Sequence, residues 1–276
     1  MRGHIRKVPA LAAAALLAVA CSSSDTASST GQLVVRLSDA AGADIQSATV
    51  WVSRVYLIGG SDSINSRVDI ATFAPAKAFD LATLQGGVTA LLGTATIPTG
   101  DYSQFRLVVD SAQVTLKAPL LFVGGAATVS LMTPSAQQTG IKVNLGGAVH
   151  VAAGQTVLVV DFDVAQSFVL TGPLGAPTGM LFKPVLHGTT TDIAASIAGT
   201  VSPASSKAEL FAVANGDTVA STFADTTSGA YVLRYLDPRL SPFTVVAAAS
   251  GYVTLSTTFP LRSGQDTTGV NFTMVH

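Results

Sequence analysis

The chain holds one cysteine, Cys21, and one glutamate, Glu209. A lone thiol excludes an internal disulfide, so no cystine cross-link supports the fold of the 276 residues. Charged residues make up only 11% of the chain, against about a quarter in an average globular protein. The formal net charge is −1 and basic runs are absent. That argues against nucleic-acid binding, because a polyanion needs a positive patch. Heptad repeats are missing, so no coiled coil is expected. The Gly-x-Ser-x-Gly elbow and the phosphate-cradling glycine loop are missing too, which removes familiar signatures of hydrolases and nucleotide enzymes. The N-terminal apolar run, Val8 to Ala20, has thirteen residues. About 20 are needed to cross the hydrocarbon core of a bilayer.

Val, Thr, Ala, Gly and Ser dominate the rest, the composition of a β protein. "QLVVRLSD" alternates, with Leu33, Val35 and Leu37 on one face. In "ATVWVSRVYLIG" Trp51, Ser53, Val55 and Leu57 oppose Val50, Val52, Arg54 and Tyr56, and Trp51 reads as core. "SQFRLVVDSAQVTLK" reads as two strands, Phe105, Leu107 and Val109 inward in one, Val114 and Leu116 in the next, with Asp110 and Ser111 near the bend. "GIKVNLGG", "VHVAAG", "TVLVVDFDV" and "GMLFKPVLHG" continue the series. Only "FDLATLQ" and "DVAQSFV" look able to form a helical turn, so helix is expected in less than about a tenth of the chain. "GTTTDIAAS" breaks the pattern, and a linker is placed at 189–196. Beyond it, "KAELFAVANGDTVASTFAD" reads as a hairpin turning at Asn215 and Gly216, where both central residues take positive φ. The expected architecture is all-β, two β-sandwich domains at 32–188 and 197–276.

The first thirty residues set the compartment. Arg2, Arg6 and Lys7 precede the apolar run, which ends in small residues. That is the layout of a secretory signal peptide. Cleavage after Ala20 would leave Cys21 first, an arrangement that resembles the lipobox of bacterial lipoproteins, with Ala18 where Leu is usual. The resemblance implies lipid on the Cys21 sulfur and an acylated amino group. Residues 21–31 then read as a flexible tether, and Ser22 is compatible with outer-membrane delivery. Removing the three basic residues of 1–20 leaves 12 basic and 16 acidic residues, a formal charge of −4.

Candidate chemistry is sparse. His150 lies between Val149 and Val151, His187 ends a strand, and His276 is C-terminal. None has a second ligand at metal spacing, so structural or surface roles are expected, with no metal, cofactor or catalytic residue assigned. Asp161 and Asp163 share a strand face, and Asp39 after the first strand is able to approach them; hard oxygens of this kind suit calcium. The other reading has Asp163, three residues before Gln166, capping a helical turn, with the acids otherwise exposed to solvent. The spacing favours the cap and leaves calcium open. Tyr102 in "TGDYSQF" and Tyr231 in "SGAYVL" read as corner tyrosines whose hydroxyls bond backbone; stacking on sugars is the alternative.

Two resemblances extend this reading. Residues 32–188 resemble a bacterial and archaeal lipoprotein family sharing the domain of unknown function 4382. They do so through "LVVRLSDA", "FDLATLQGGVTALLGTATIPTGDYSQFRLVVDSAQVTL", "QQTGIKVN", "VLVVDFDVAQSFV" and "FKPVL". The family has no assigned activity. Residues 197–276 resemble the carboxypeptidase regulatory-like domains, transthyretin-like seven-stranded sandwiches, through "IAGTV", "ADTTSGAYVL", "FTVVAAASGY" and "GVNFTM"; "LDPRLSPF" departs from their usual turn. Such domains are non-catalytic spacers or interaction modules. The expectation is a non-enzymatic, lipid-anchored envelope protein that binds glycans or envelope proteins; the alternatives are a structural spacer and, less favoured, a hydrolase.

Overall fold

Val, Ile, Thr and Phe at alternate positions bury one face of an extended chain and leave the other wet, and the chain obeys that period almost throughout. The structure, a computed structural model, describes residues 29–276 except 41, 43, 60–66 and 174. Strand accounts for 61% and helix for 9%, so the all-β expectation holds. The first unit contains β1 (Thr30–Ala40), β2 (Ile45–Gly59), β3 (Arg67–Asp80), β4 (Ala90–Pro98), β5 (Gly100–Leu116), β6 (Thr128–Met132), β7 (Ile141–Leu145), β8 (Val149–Val151), β9 (Gln155–Asp163), β10 (Phe168–Thr171), β11 (Gly179–Phe182) and β12 (Leu186–Thr190). One ten-stranded sheet runs β3-β2-β5-β7-β12-β9-β1-β4, with β6 and β8 also on β5, while β10 and β11 form a separate hairpin. The end strands meet: a methyl at Gly93 of β4 would lie 2.8 Å from Ala71 Cβ of β3. The sheet therefore folds over one core that includes Leu33, Tyr102, Phe105 and Phe162, each 0% exposed. Burying a side chain of that size contributes about 1.5–3 kcal/mol.

Two expectations change at bulges. β5 is a single strand of 17 residues, not a pair joined by a bend. Its inward set passes from Phe105, Leu107 and Val109 to Ala112, Val114 and Leu116, and a register shift against β2 falls between Trp51 and Val52. One extra residue reverses the parity of everything after it. β2 does the same near Ser53: Val50 and Val52 point inward, then Val55 and Leu57. Trp51 consequently lies on the outer face, partly exposed, rather than in the core. Ser53 Oγ donates to Asp110 Oδ1 at 2.6 Å where the two bulges meet.

The expected turns form at Leu81–Gly87, capped by Asp80, and as α2 (Val164–Ser167). A further short helix, α1 (Pro134–Thr139), was not anticipated. The second unit contains β13 (Ala195–Ser202), β14 (Glu209–Ala214), β15 (Asp217–Phe223), β16 (Ala230–Leu236), β17 (Phe243–Ala248), β18 (Leu255–Phe259), β19 (Asp266–Thr267) and β20 (Phe272–Thr273). Its two sheets, β16-β13 with β19 and β20, and β15-β14-β17-β18, enclose a separate core around Ile197, Leu210 and Phe243. The hairpin turns at Asn215 (φ 53°) and Gly216 (φ 89°) as expected.

Candidate functional site

β1 and β9 are parallel neighbours, so their C-terminal ends finish side by side, Ser38 opposite Asp161 and Asp39 opposite Phe162. The pairing brings Asp39, Asp161 and Asp163 to the same end of the sheet, as the sequence suggested, but does not gather their carboxyl groups into a metal-holding cluster. It does not expose them. They are 5%, 9% and 0% accessible, because the second unit covers this end of the sheet.

Asp163 is the cap: Oδ1 accepts from the Gln166 N–H at 2.9 Å, and Oδ2 accepts from Ser221 Oγ of β15 at 3.1 Å, across the seam. Asp161 is pushed up to about 7, first by burial and then by the charge of Asp163, with the Ser38 hydroxyl opposing. Asp39 is raised well above the usual carboxylate range by burial, then by Asp161 and Asp163. The Val164 N–H and the Gln85 side chain favour its charged form, yet neither Oδ atom makes a hydrogen bond of good geometry. Glu209 on β14 is raised to about 7 by burial, then by Asp163 and Asp44. The sequence marked Glu209 only as the sole glutamate; its place beside Asp163 depends on the docking of the two units. Among the described residues no ion pair reaches any of these four carboxyl groups.

The seam is latched by polar contacts. Asp237, 5% exposed, holds Arg239 through a 2.6 Å contact and accepts from the Gly146 N–H at 3.1 Å. Arg239 Nη1 donates to the Ala148 carbonyl at 2.8 Å, and Tyr235 Oη donates to the Gly87 carbonyl at 3.2 Å. Beside the Tyr235–Gly87 contact lies a cavity of about 470 Å³. Its lining includes Ser38, Asp39 and Asp161 from the first unit and Phe223, Val232 and Tyr235 from the second.

The remaining candidates lie elsewhere. His150 is exposed and meets Asp101 at 2.8 Å. His276 bonds the Gly251 carbonyl and stacks on Tyr252. His187 is depressed by burial, with the Thr218 backbone opposing, and neither ring nitrogen makes a hydrogen bond of good geometry. Among the described residues no three His, Cys, Asp or Glu side chains gather to hold a metal. Tyr102 and Tyr231 are the corner tyrosines, donating to the carbonyls of Pro98 (2.9 Å) and Val270 (2.6 Å). Cys21 lies outside the described residues. No described helix is long and apolar enough to cross a membrane.

No curated protein matches the chain. Among solved structures, the shaft pilin SpaA of Lactobacillus rhamnosus GG is 11% identical, with 89% of this chain and 97% of the pilin covered, at a TM-score of 0.20. A leucine-rich repeat protein of Bacteroides thetaiotaomicron VPI-5482 is 8% identical over 88% of this chain and 26% of that one, at a TM-score of 0.15. Neither superposes closely enough to carry an argument. The family model described as Domain of unknown function (DUF4382) matches residues 30–184, more than half of the chain, and the chain belongs to that family.

Proposed function

We propose that this chain is a non-catalytic lipoprotein of the bacterial envelope. It is anchored through lipid on Cys21, reaches the outer membrane, and binds a glycan or an envelope protein through its two docked sandwiches. Residues 197–276 act in this reading as a carboxypeptidase regulatory-like module that completes the binding surface. The observation that carries the binding part is the seam cavity, where two domains meet over buried carboxyl groups; ligand sites favour such domain junctions. A hydrolase needs one carboxyl group to reach the scissile bond and a second to activate water. Asp163 is committed to a cap and a seam hydrogen bond, which takes one carboxyl group out of any such pair and favours binding over catalysis.

The test has two arms. Metabolic labelling with a fatty-acid analogue, in a host that processes lipoproteins, should label the wild type and not Cys21→Ser. The variant should leave the membrane fraction or persist as an uncleaved precursor, with an unchanged melting temperature. An unlabelled wild type overturns the anchor. A glycan array and a pulldown from envelope extract address binding; silence in both favours the structural spacer.

A further inference from the structure

We propose that the seam cavity is a binding site for a primary ammonium group on an alkyl stem, held between Asp39 and Asp161. The proposal rests on the binding-module reading and names the chemistry of its ligand. Its source is either a free amine or a lysine side chain of a partner protein.

The cavity, about 470 Å³, falls in the range of small-ligand sites, roughly 300–1,000 Å³, and is far larger than a bare ion requires. Its floor offers acceptors. Asp39 is 95% buried and lines the cavity, and neither of its oxygens makes a hydrogen bond of good geometry. A buried acceptor left unpaired costs about 1–3 kcal/mol, more when charged, and a ligand donor recovers that cost. Asp161 stands beside it with the Ser38 hydroxyl. No lysine or arginine of the described chain pairs with either group.

The other linings fit a stem rather than a second charge. Phe223, Val232 and Tyr235 supply apolar and aromatic wall, and aromatic faces attract ammonium groups. Asp225 at the mouth is held in its charged form by the N–H groups and hydroxyl of Thr227 and Ser228. Arg234, packed on Gly87, sets the opposite sign at the rim; it excludes a second cationic head from that side. A metal ion fits less well. Both Asp163 oxygens are already in use, and no group of three metal ligands gathers among the described residues. A neutral hydroxyl can donate a hydrogen bond but brings no charge to favour ionisation of the two raised carboxyl groups.

Entry has a physical route. The Gln85 side chain lies against Asp39 and occupies the place of the ammonium donor. It is followed by Gly86 (φ 69°), where a Cβ would meet nothing within 4 Å. For the amine to reach the Asp39 oxygens, the Gln85 side chain has to turn outward as the amine takes its position.

The test is isothermal titration calorimetry on the mature lipidated chain in detergent at pH 7, in two buffers of different ionisation enthalpy. The probes are 1-pentylamine, N-acetyl-lysine methylamide, 1-pentanol and calcium chloride. An amine should bind one to one, with buffer-dependent heat as protons leave the carboxyl pair. Tighter binding of pentylamine identifies a free amine as the source, and tighter binding of the lysine derivative a protein side chain. Asp39→Asn should weaken binding at least tenfold without lowering the melting temperature, whereas a merely structural Asp39 would destabilise the fold when replaced. If Asp39→Asn does not fold, Asp161→Asn must show the same loss. The proposal is overturned if neither amine binds, if pentanol binds equally, if calcium alone binds, or if the folded variant binds like the wild type. A positive glycan array or pulldown alongside silent amines would remove this ligand and leave the binding-module reading standing.

Discussion

Replacing Asp161 by Asn should stabilise the protein at pH 8 and flatten its dependence on pH. In the native chain the Asp161 carboxyl group is raised from 3.8 to about 7 by burial. Below about pH 4 both folded and unfolded chains hold this proton, and the group adds no pH dependence. Between about pH 4 and 7 the unfolded chain releases it while the folded chain keeps it. Stability therefore falls as pH rises across that window, and the loss is complete above pH 7. A shift of about three units at about 1.4 kcal/mol each amounts to something on the order of 4 kcal/mol. Asp39 and Glu209 are raised as well and push the same way. The Asn amide oxygen still accepts from Ser38 and has no charge to desolvate. Urea titration followed by Trp51 fluorescence at pH 5.5 and pH 8 reads the effect. The wild type should be less stable at pH 8, and Asp161→Asn should recover a large part of the difference. A wild type equally stable at both values, with the variant weaker at pH 8, would refute the account of this seam. Because undocking also rehydrates Asp161, the loss at high pH is capped by the free energy of docking. Protease cleavage within 189–196 should rise over the same window if the units part first.

Two further outcomes test other contacts. Tyr231→Phe removes the 2.6 Å bond to the Val270 carbonyl and should cost about 1 kcal/mol, more if that carbonyl stays dry, seen as a lower melting temperature. Asp237→Ala strips Arg239 of its partner and the Gly146 N–H of its acceptor. Leaving such groups unpaired at a buried position costs about 1–3 kcal/mol, and hydrogen exchange should accelerate at Gly146.

Much of this fold is written in side-chain parity. Leu33, Val35 and Leu37 alternate and are all fully buried. Asn215 and Gly216 announce a turn because few other pairs tolerate two positive φ values. The bulges are harder to read. The inward set of β5 changes from odd to even positions at Asp110 and Ser111, and a polar pair at such a change resembles a bend equally well. Only the neighbouring strand decides, since β2 continues alongside and pairs with both halves. Trp51 was misplaced for the same reason, on a strand whose parity reverses two residues later. At the site, the cap of Asp163 was legible from its local spacing to Gln166. The burial of Asp39 and Asp161 was not, because the surface that covers them comes from the distant second unit, with Ser221 sixty positions beyond Asp161 and 182 beyond Asp39.

The two-sided pairing of β1 carries a mechanical consequence. Its eleven residues extend about 33 Å at roughly 3.3 Å per residue. β4 runs beside it from Thr30 to Leu37, and β9 from Gln32 to Ala40. A pull applied at Thr30, where any preceding tether joins the sheet, and resisted at the Asp39 end, where the second unit docks, acts along the strand axis. Both ladders are then loaded in shear, and their bonds must fail together rather than one after another. Force entering the first unit at Thr30 is thus carried to the seam by a single strand, whose far end lines the cavity.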